Sequence, residues 1–191
     1  MKVSIIIPVR NGAKFLRECL KSIVNQTYTN WELIVVNDNS TDNTISILKQ
    51  FTKLDKRITW VNSKGIGIIE ALKTGYSLST GELITRMDAD DIKFQNNLEI
   101  LVNNLLKSGR GFLATGCVAY FSETELGEGY KFYANWLNSL TVNGNNFDDI
   151  YKECVIPSPC WMVYKSDLIA CNAFNPNTYP EDYDLVHVKY I

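Results

Sequence analysis

The residues best placed to do chemistry in this sequence are aspartates. Asp88 and Asp90 stand two positions apart, with Asp91 adjoining, after the apolar run Leu83 to Met87. At a strand exit both carboxylates can lean toward one side, and a few hard oxygen ligands of this kind suit Mg²⁺ or Mn²⁺ completed by water and substrate phosphates. The same acids could instead cap a following helix, and their spacing leaves both readings open. Asp38 follows a second apolar run, Trp31 to Val36. A carboxylate there could accept the imide N–H of uracil, or the N1–H and amino group of guanine, whereas cytosine presents an acceptor at the matching ring nitrogen. An Asx-turn without a ligand is the other reading. Glu181 and Asp182 follow Pro180 at the start of a helical pattern, Tyr183 to Tyr190, where acids serve catalysis or complement the helix dipole. Trp60, Trp136 and Trp161 could stack on a sugar or pack in a core.

Other chemistries lack their parts. His187 is the only histidine, so a His-based triad, a multi-histidine zinc site and a histidine relay have almost nothing to be built from. No G-x-x-x-x-G-K-[ST] run exists for a P-loop. Gly65-Ile66-Gly67 has Glu70 where a dinucleotide fingerprint needs its third glycine. With 19 Lys+Arg against 21 Asp+Glu, the 191-residue chain carries a formal charge of −2, which argues against bulk electrostatic binding of nucleic acid. Five scattered cysteines form no C-x-x-C pair, a pattern that suits reduced thiols and a cytoplasmic setting. The N-terminal apolar run is too short for a signal peptide, and no stretch approaches the roughly 18 apolar residues of a membrane span.

Elements must bring the acids together. Val3 to Pro8 is a β-branched, continuously apolar run, as expected of a strand buried on both faces of a parallel sheet. Asn11 can then cap a helix with Phe15, Leu16, Cys19, Leu20, Ile23 and Val24 at three- and four-residue steps. Trp31 to Val36, Ile58 to Val61 and Leu83 to Met87 read as further strands. Helices through Ile45, Leu48 and Phe51, through Ile68, Ile69 and Leu72, and over Gln95 to Lys107 alternate with them. Such alternation predicts a mostly parallel, twisted α/β sheet flanked by helices on both faces. Phe112 to Tyr120 reads as a strand, Gly127 to Asn146 as long loops with one or two helices, and Cys160 to Tyr164 as a last strand. In an open parallel sheet, ligands bind beyond the carboxyl ends of the strands. The segments Pro8-Val9-Arg10-Asn11-Gly12, Asn37 to Asp42 and Asp88 to Asp91 all fall on that edge.

Together these segments resemble the inverting family-2 glycosyltransferases of the GT-A (Rossmann-like) fold, of the kind that build bacterial surface polysaccharides, over nearly the whole chain. Ser4 to Gly12 is similar to that family's opening strand and nucleotide loop, which implies donor contacts at Pro8, Val9, Arg10 and Asn11. Asn37-Asp38-Asn39-Ser40 stands where the family commonly has Asp-Asp-Gly-Ser, leaving Asp38 as the base-reading acid. Gly81 to Asp91 resembles the D-x-D segment and is the most specific match. It implies that Asp90, assisted by Asp88, holds Mn²⁺ or Mg²⁺ on the diphosphate, with Ala89, Arg86 and Lys64 as further donor contacts. Pro180-Glu181-Asp182-Tyr183-Asp184 is similar to the late Glu-Asp motif and implies Asp182 as catalytic base.

The resemblance further implies one domain over 1–191, with a nucleotide-sugar half at 1–110 and an acceptor-side half at 111–191; the last helical pattern runs into Ile191 without a stop signal, so the chain is expected to be shortened at its C-terminal end. The donor is expected to be a UDP-sugar, the acceptor a glycan or lipid-linked saccharide, and the membrane association peripheral, at the inner face. Two other functions compete. In haloacid-dehalogenase-like phosphohydrolases the Asp-x-Asp nucleophile belongs to the first strand, not the fourth. A catalytically silent nucleotide- or carbohydrate-binding domain would need Asp38 but not Asp182.

Overall fold

The protein is described by a computed structural model over residues 1–122, 124–172 and 174. Four β-branched or apolar runs form the parallel strands β1 (Val3–Val9), β2 (Trp31–Asn37), β3 (Ile58–Asn62) and β4 (Leu83–Arg86). Two shorter strands, β5 (Ala114–Thr115) and β6 (Trp161–Tyr164), complete a six-stranded sheet of order β3-β2-β1-β4-β6-β5. β1 pairs with β2 from Val3↔Trp31 to Val9↔Asn37 and with β4 from Val3↔Leu83 to Ile6↔Arg86, both parallel. β6 runs antiparallel to β4 and to β5. The chain steps outward from β1 to β2 and β3, then returns to place β4 on the other side of β1. The order reverses between β1 and β4, the switch point where helices on opposite faces leave a crevice at the carboxyl ends.

Every residue of β1 is buried, and its alternation divides the core. Ile5, Ile7 and Val9 pack with α1 (Leu16–Val24), α2 (Thr44–Leu54) and α4 (Asn97–Ser108). Ile6 turns to the other face, to Leu72 of α3 (Ile68–Leu78), Leu140 of α5 (Glu128–Asn143) and Leu168 of α6 (Lys165–Ala170). Helix α3 approaches β1 through a glycine: a Cβ on Gly75 would lie 2.5 Å from Ile6 Cγ2. Of the three tryptophans considered for sugar stacking, Trp161 is 2% exposed in this second core. The Trp136 indole N–H donates to Asp149 Oδ2 at 2.8 Å, and Trp60 packs against the first core.

Three local expectations are corrected. Asn11 does not cap α1, which starts at Leu16; it has φ 54°, a left-handed turn conformation that Asn tolerates. Of Phe112 to Tyr120 only Ala114–Thr115 is a strand. Beyond it, Val118 N–H and C=O are bonded by the Asn138 carboxamide of α5, both at 2.8 Å, in place of a strand ladder. Gly127 to Asn146 is dominated by the single 16-residue helix α5. Among the described residues, no helix is long and apolar enough to cross a membrane, and all five cysteines are free thiols. The expected helix Tyr183 to Tyr190, with Glu181 and Asp182, lies outside the described residues.

Candidate functional site

The loops leaving β1, β2 and β4 are tied together at the carboxyl edge. Asp38 N–H donates to Val9 O at 2.8 Å, continuing the β1–β2 ladder. Asn11 N–H donates to Ser40 Oγ (2.9 Å), while Asn11 Oδ1 accepts Thr41 N–H (2.8 Å). Asp42 clamps the same pair of loops, accepting Ala13 N–H at 3.0 Å and the Thr44 hydroxyl at 2.6 Å. The carboxyl of Asp42 is held below its usual range chiefly by the Thr44 hydroxyl. A Cβ on Gly12 would sit 2.6 Å from Val9 Cγ2 and 3.5 Å from Ala89 Cβ, so the β1 loop also abuts the β4 loop. Pro8 and Val9 are buried, while Arg10 and Asn11 are exposed.

Asp38 is 4% exposed. Its Oδ2 accepts Gly67 N–H at 3.0 Å and its Oδ1 accepts the Asn39 amide at 3.1 Å. Gly67 takes φ +98° there, a conformation open to glycine at little cost. The Gly65-Ile66-Gly67 segment thus serves to bring a backbone N–H to Asp38. A carboxylate has about four lone-pair sites, so these two bonds leave acceptor capacity for a ligand. Lys64, in the same loop, is exposed, and its backbone N–H donates to Thr74 Oγ1 at 3.2 Å.

Asp88 to Asp91 form a turn closed by Asp91 N–H to Asp88 O (3.2 Å). Helix α4 begins only at Asn97, so these acids do not cap it, which removes the capping alternative. Arg86, expected to touch the donor, instead lies 3% exposed beneath the turn and donates from Nη2 to Asp88 Oδ1 at 2.8 Å. Asp90 is exposed. Burial foremost, then the charges of Asp88 and Asp90, raise the Asp91 carboxyl to about 6. Among the described residues, no group of three or more His, Cys, Asp or Glu side chains is placed to hold a metal ion. Two carboxylates with room for water and phosphate oxygens are nevertheless a donor set that Mg²⁺ or Mn²⁺ accepts. The exposed Asp90 and the partly exposed Asp88 fit that description.

From this turn a cavity of about 540 Å³ opens, bounded by Phe15, Lys93, Tyr120, Tyr133, Pro159 and Cys160 among others. The sequence did not point to it. Lys93 and the residues after 117 come from segments with no motif, and Tyr120 and Tyr133, 6.0 Å apart between ring centres, read as ordinary aromatics.

The fold and the site define a class: a mostly parallel sheet with a crevice at its β1/β4 switch point, an acidic turn on one side and a buried aspartate on the other. The family model for glycosyl transferase family 2 matches residues 4–171, and the chain belongs to that family. It is 36% identical over 193 residues to glycosyltransferase GlyA of Streptococcus pneumoniae, covering 95% of this chain and 27% of that protein. The solved structure of S. aureus TarS 1-349 in complex with UDP-GlcNAc superposes with TM-score 0.72 at 18% identity, over 100% of this chain and 53% of that one. A mannosyltransferase from Pyrobaculum calidifontis, in complex with GDP-Man and Mn²⁺, gives TM-score 0.71 at 23% identity, over 97% of this chain and 50% of that one. The chain thus spans about a quarter of GlyA and about half of each solved structure, and its fold is the GT-A fold.

Proposed function

We propose that the chain transfers a sugar from a nucleoside diphosphate-sugar, a UDP-sugar above others, to a hydroxyl of a glycan or lipid-linked acceptor with inversion at the anomeric carbon. One observation carries the reading: in a family-2 chain, Asp38 and the Asp88-Ala89-Asp90 turn flank the β1 loop at the sheet's switch point. Uracil lies against Asp38, whose free lone pairs accept the imide N–H. The backbone from Pro8 to Asn11 and the exposed Arg10 and Lys64 line the donor's path. Asp90 and Asp88 hold a divalent ion, which when bound offsets charge on the leaving diphosphate. Arg86 acts from below by fixing Asp88. The likeness to a UDP-GlcNAc complex and to a GDP-Man and Mn²⁺ complex supports these roles.

Asp182 takes the proton of the acceptor hydroxyl as its oxygen bonds to the anomeric carbon from the face opposite the diphosphate. The bond to the diphosphate oxygen breaks, and its electron pair leaves with the nucleotide. Residues 1–110 serve the donor and 111–191 the acceptor, within one domain. The setting is cytoplasmic, peripheral to the inner face of the membrane. The test is Asp182→Asn with Glu181→Gln as control. The expected result is donor affinity nearly intact and transfer down by about 10²–10⁴-fold for Asp182→Asn, with a smaller loss for Glu181→Gln. Transfer by Asp182→Asn at the unmodified rate removes Asp182 as base. No transfer by the unmodified protein, with UDP still bound, favours a silent binding domain.

A further inference from the structure

Lys93 is only 5% exposed, although it is a lysine in the loop between the Asp88–Asp91 turn and α4. Its ammonium donates to Pro159 O at 2.7 Å and to Asn97 Oδ1 at 3.2 Å. The backbone around it is fixed to the α1 side. Lys93 N–H donates to Ser22 Oγ at 3.0 Å, and the Gln26 amide donates to Phe94 O at 2.8 Å while accepting Leu98 N–H at 3.0 Å. Pro159 belongs to the short 3-10 helix Ser158–Cys160 that leads into β6. Lys93 therefore spans from a clamped loop behind the carboxylates to the opposite strap, and both segments border the 540 Å³ cavity.

Burying an ammonium costs several kcal/mol unless fixed acceptors repay it, and an apolar side chain would fill the space at lower cost. Burial holds this ammonium down, to about 8, against the pull of Cys160, Asp91 and Cys19. What the lysine adds over an apolar residue is a directional tie of set length. Among the described residues bordering the cavity it is also the one Lys or Arg.

We infer that Lys93 is a positioning residue that sets the width of the acceptor cavity by tying the Pro157–Cys160 strap to the loop behind the Asp88–Asp91 turn. The inference rests on the proposed function, since it takes the cavity as the acceptor's. The Lys93 ammonium bonds Asn97 and Pro159 and none of Asp38, Asp88, Asp90 or the β1 loop, so the tie holds no donor-binding side chain directly. Loss of the tie frees the strap, and Cys160, 6% exposed on that strap, reports the release.

The experiment compares unmodified protein, Lys93→Met, Lys93→Arg and Asn97→Ala. It measures UDP affinity, UDP release from UDP-glucose and UDP-GlcNAc with Mn²⁺, and iodoacetamide labelling of Cys160 by mass spectrometry. UDP release is read in water alone and with methyl glycosides of glucose, galactose and N-acetylglucosamine. The expected result for Lys93→Met is UDP affinity and release to water within about twofold of the unmodified protein. Stimulation by glycosides falls about tenfold or more, through acceptor KM more than kcat, and Cys160 labels about tenfold faster, as for loss of a charged hydrogen bond. Lys93→Arg restores part of the stimulation, and Asn97→Ala shows the same changes, smaller, in a variant that keeps the main bond. Unchanged stimulation and unchanged Cys160 labelling in Lys93→Met and Asn97→Ala overturn the inference. So does an unmodified protein that releases UDP to water yet responds to no glycoside, a result that leaves the donor reading standing. An unmodified protein that neither binds UDP nor releases it overturns the donor reading as well.

Discussion

Arg86 carries a positive charge 3% exposed beneath Asp88, where it neither competes with a metal ion nor reaches toward solvent. It bonds one carboxylate oxygen, Oδ1, of the partly exposed Asp88. Partners that orient ligands of this kind are typically worth about 10–100-fold in metal affinity. Arg86→Met is therefore expected to weaken Mn²⁺-supported UDP binding by that order, read by titrating Mn²⁺ into protein with UDP; an unchanged affinity would mean that Asp88 needs no such support. Asp38 supports a second prediction. Asp38→Asn, which keeps an oxygen for Gly67 N–H, should lose about 10–100-fold in UDP affinity and most of the preference for UDP over CDP, as read by competition binding. Equal losses for both nucleotides would show that the residue acts only on the loop. Asp38, Asp88 and Asp90 stood out in the sequence as candidates because each follows an apolar run, and strand exits announce themselves. Arg86 stood out as a candidate donor contact, but its burial and its bond to Asp88 did not, because they depend on how the chain packs around β4. Lys93 and Gln26 were not legible: the Lys93–Pro159 and Gln26–Leu98 bonds cross 66 and 72 residues, and neither residue stands in a motif.

At the scale of elements, the alternation of apolar runs and helical periods located β1 to β4 and α1 to α4, because β1, β2 and β4 are buried almost throughout and read as largely apolar runs. It served less well beyond Gly111, where β5 is two residues long at the sheet edge and a side-chain amide from α5 replaces the ladder. Helix α3 shows a constraint that periodicity hides. Gly75 is buried at its closest approach to β1, and a methyl group there would meet Ile6 Cγ2 at 2.5 Å. Gly75→Ala should gain helix propensity yet lose about 1–3 kcal/mol overall from overpacking, measured by urea denaturation. A stabilised variant would show that α3 moves aside freely. Since α3 also carries the Gly67 turn that meets Asp38, the same substitution should weaken UDP binding, whereas a surface substitution on α2 should not.

Across the whole molecule, the two edges of the sheet respond to acid with opposite sign. At the edge away from the site, Glu32 accepts Lys2 Nζ (2.6 Å), Ser4 Oγ (2.6 Å) and Thr80 N–H (2.6 Å), joining the N-terminus, β1, β2 and the lead-in to β4. Burial pushes its carboxyl up, but these bonds outweigh it and bring it from 4.5 to about 2. Its stabilisation is thus fully present above about pH 4.5 and is lost as pH falls through about 2. At the site edge Asp91 is raised from 3.8 to about 6, so the folded chain holds that proton longer than the unfolded one. Stability from this group falls as pH rises from 3.8 to about 6 and stays lower above it. Glu32→Gln should lower Tm at neutral pH and flatten the acid limb, whereas Asp91→Asn should raise Tm above pH 6 and change little below pH 3.8. Thermal melts across pH decide both, and a raised neutral Tm in Glu32→Gln or a lowered one in Asp91→Asn would reverse the assignment.

The central claim is that the switch-point crevice binds a uridine diphosphate through Asp38 at one end and a carboxylate-held divalent ion at the other. Calorimetric titration of UDP into the protein with Mn²⁺, with EDTA, and in the Asp90→Asn variant tests it most directly. Binding that is present with Mn²⁺, and weakened both by EDTA and by the substitution, is the predicted result. Equal UDP affinity in all three titrations would contradict it.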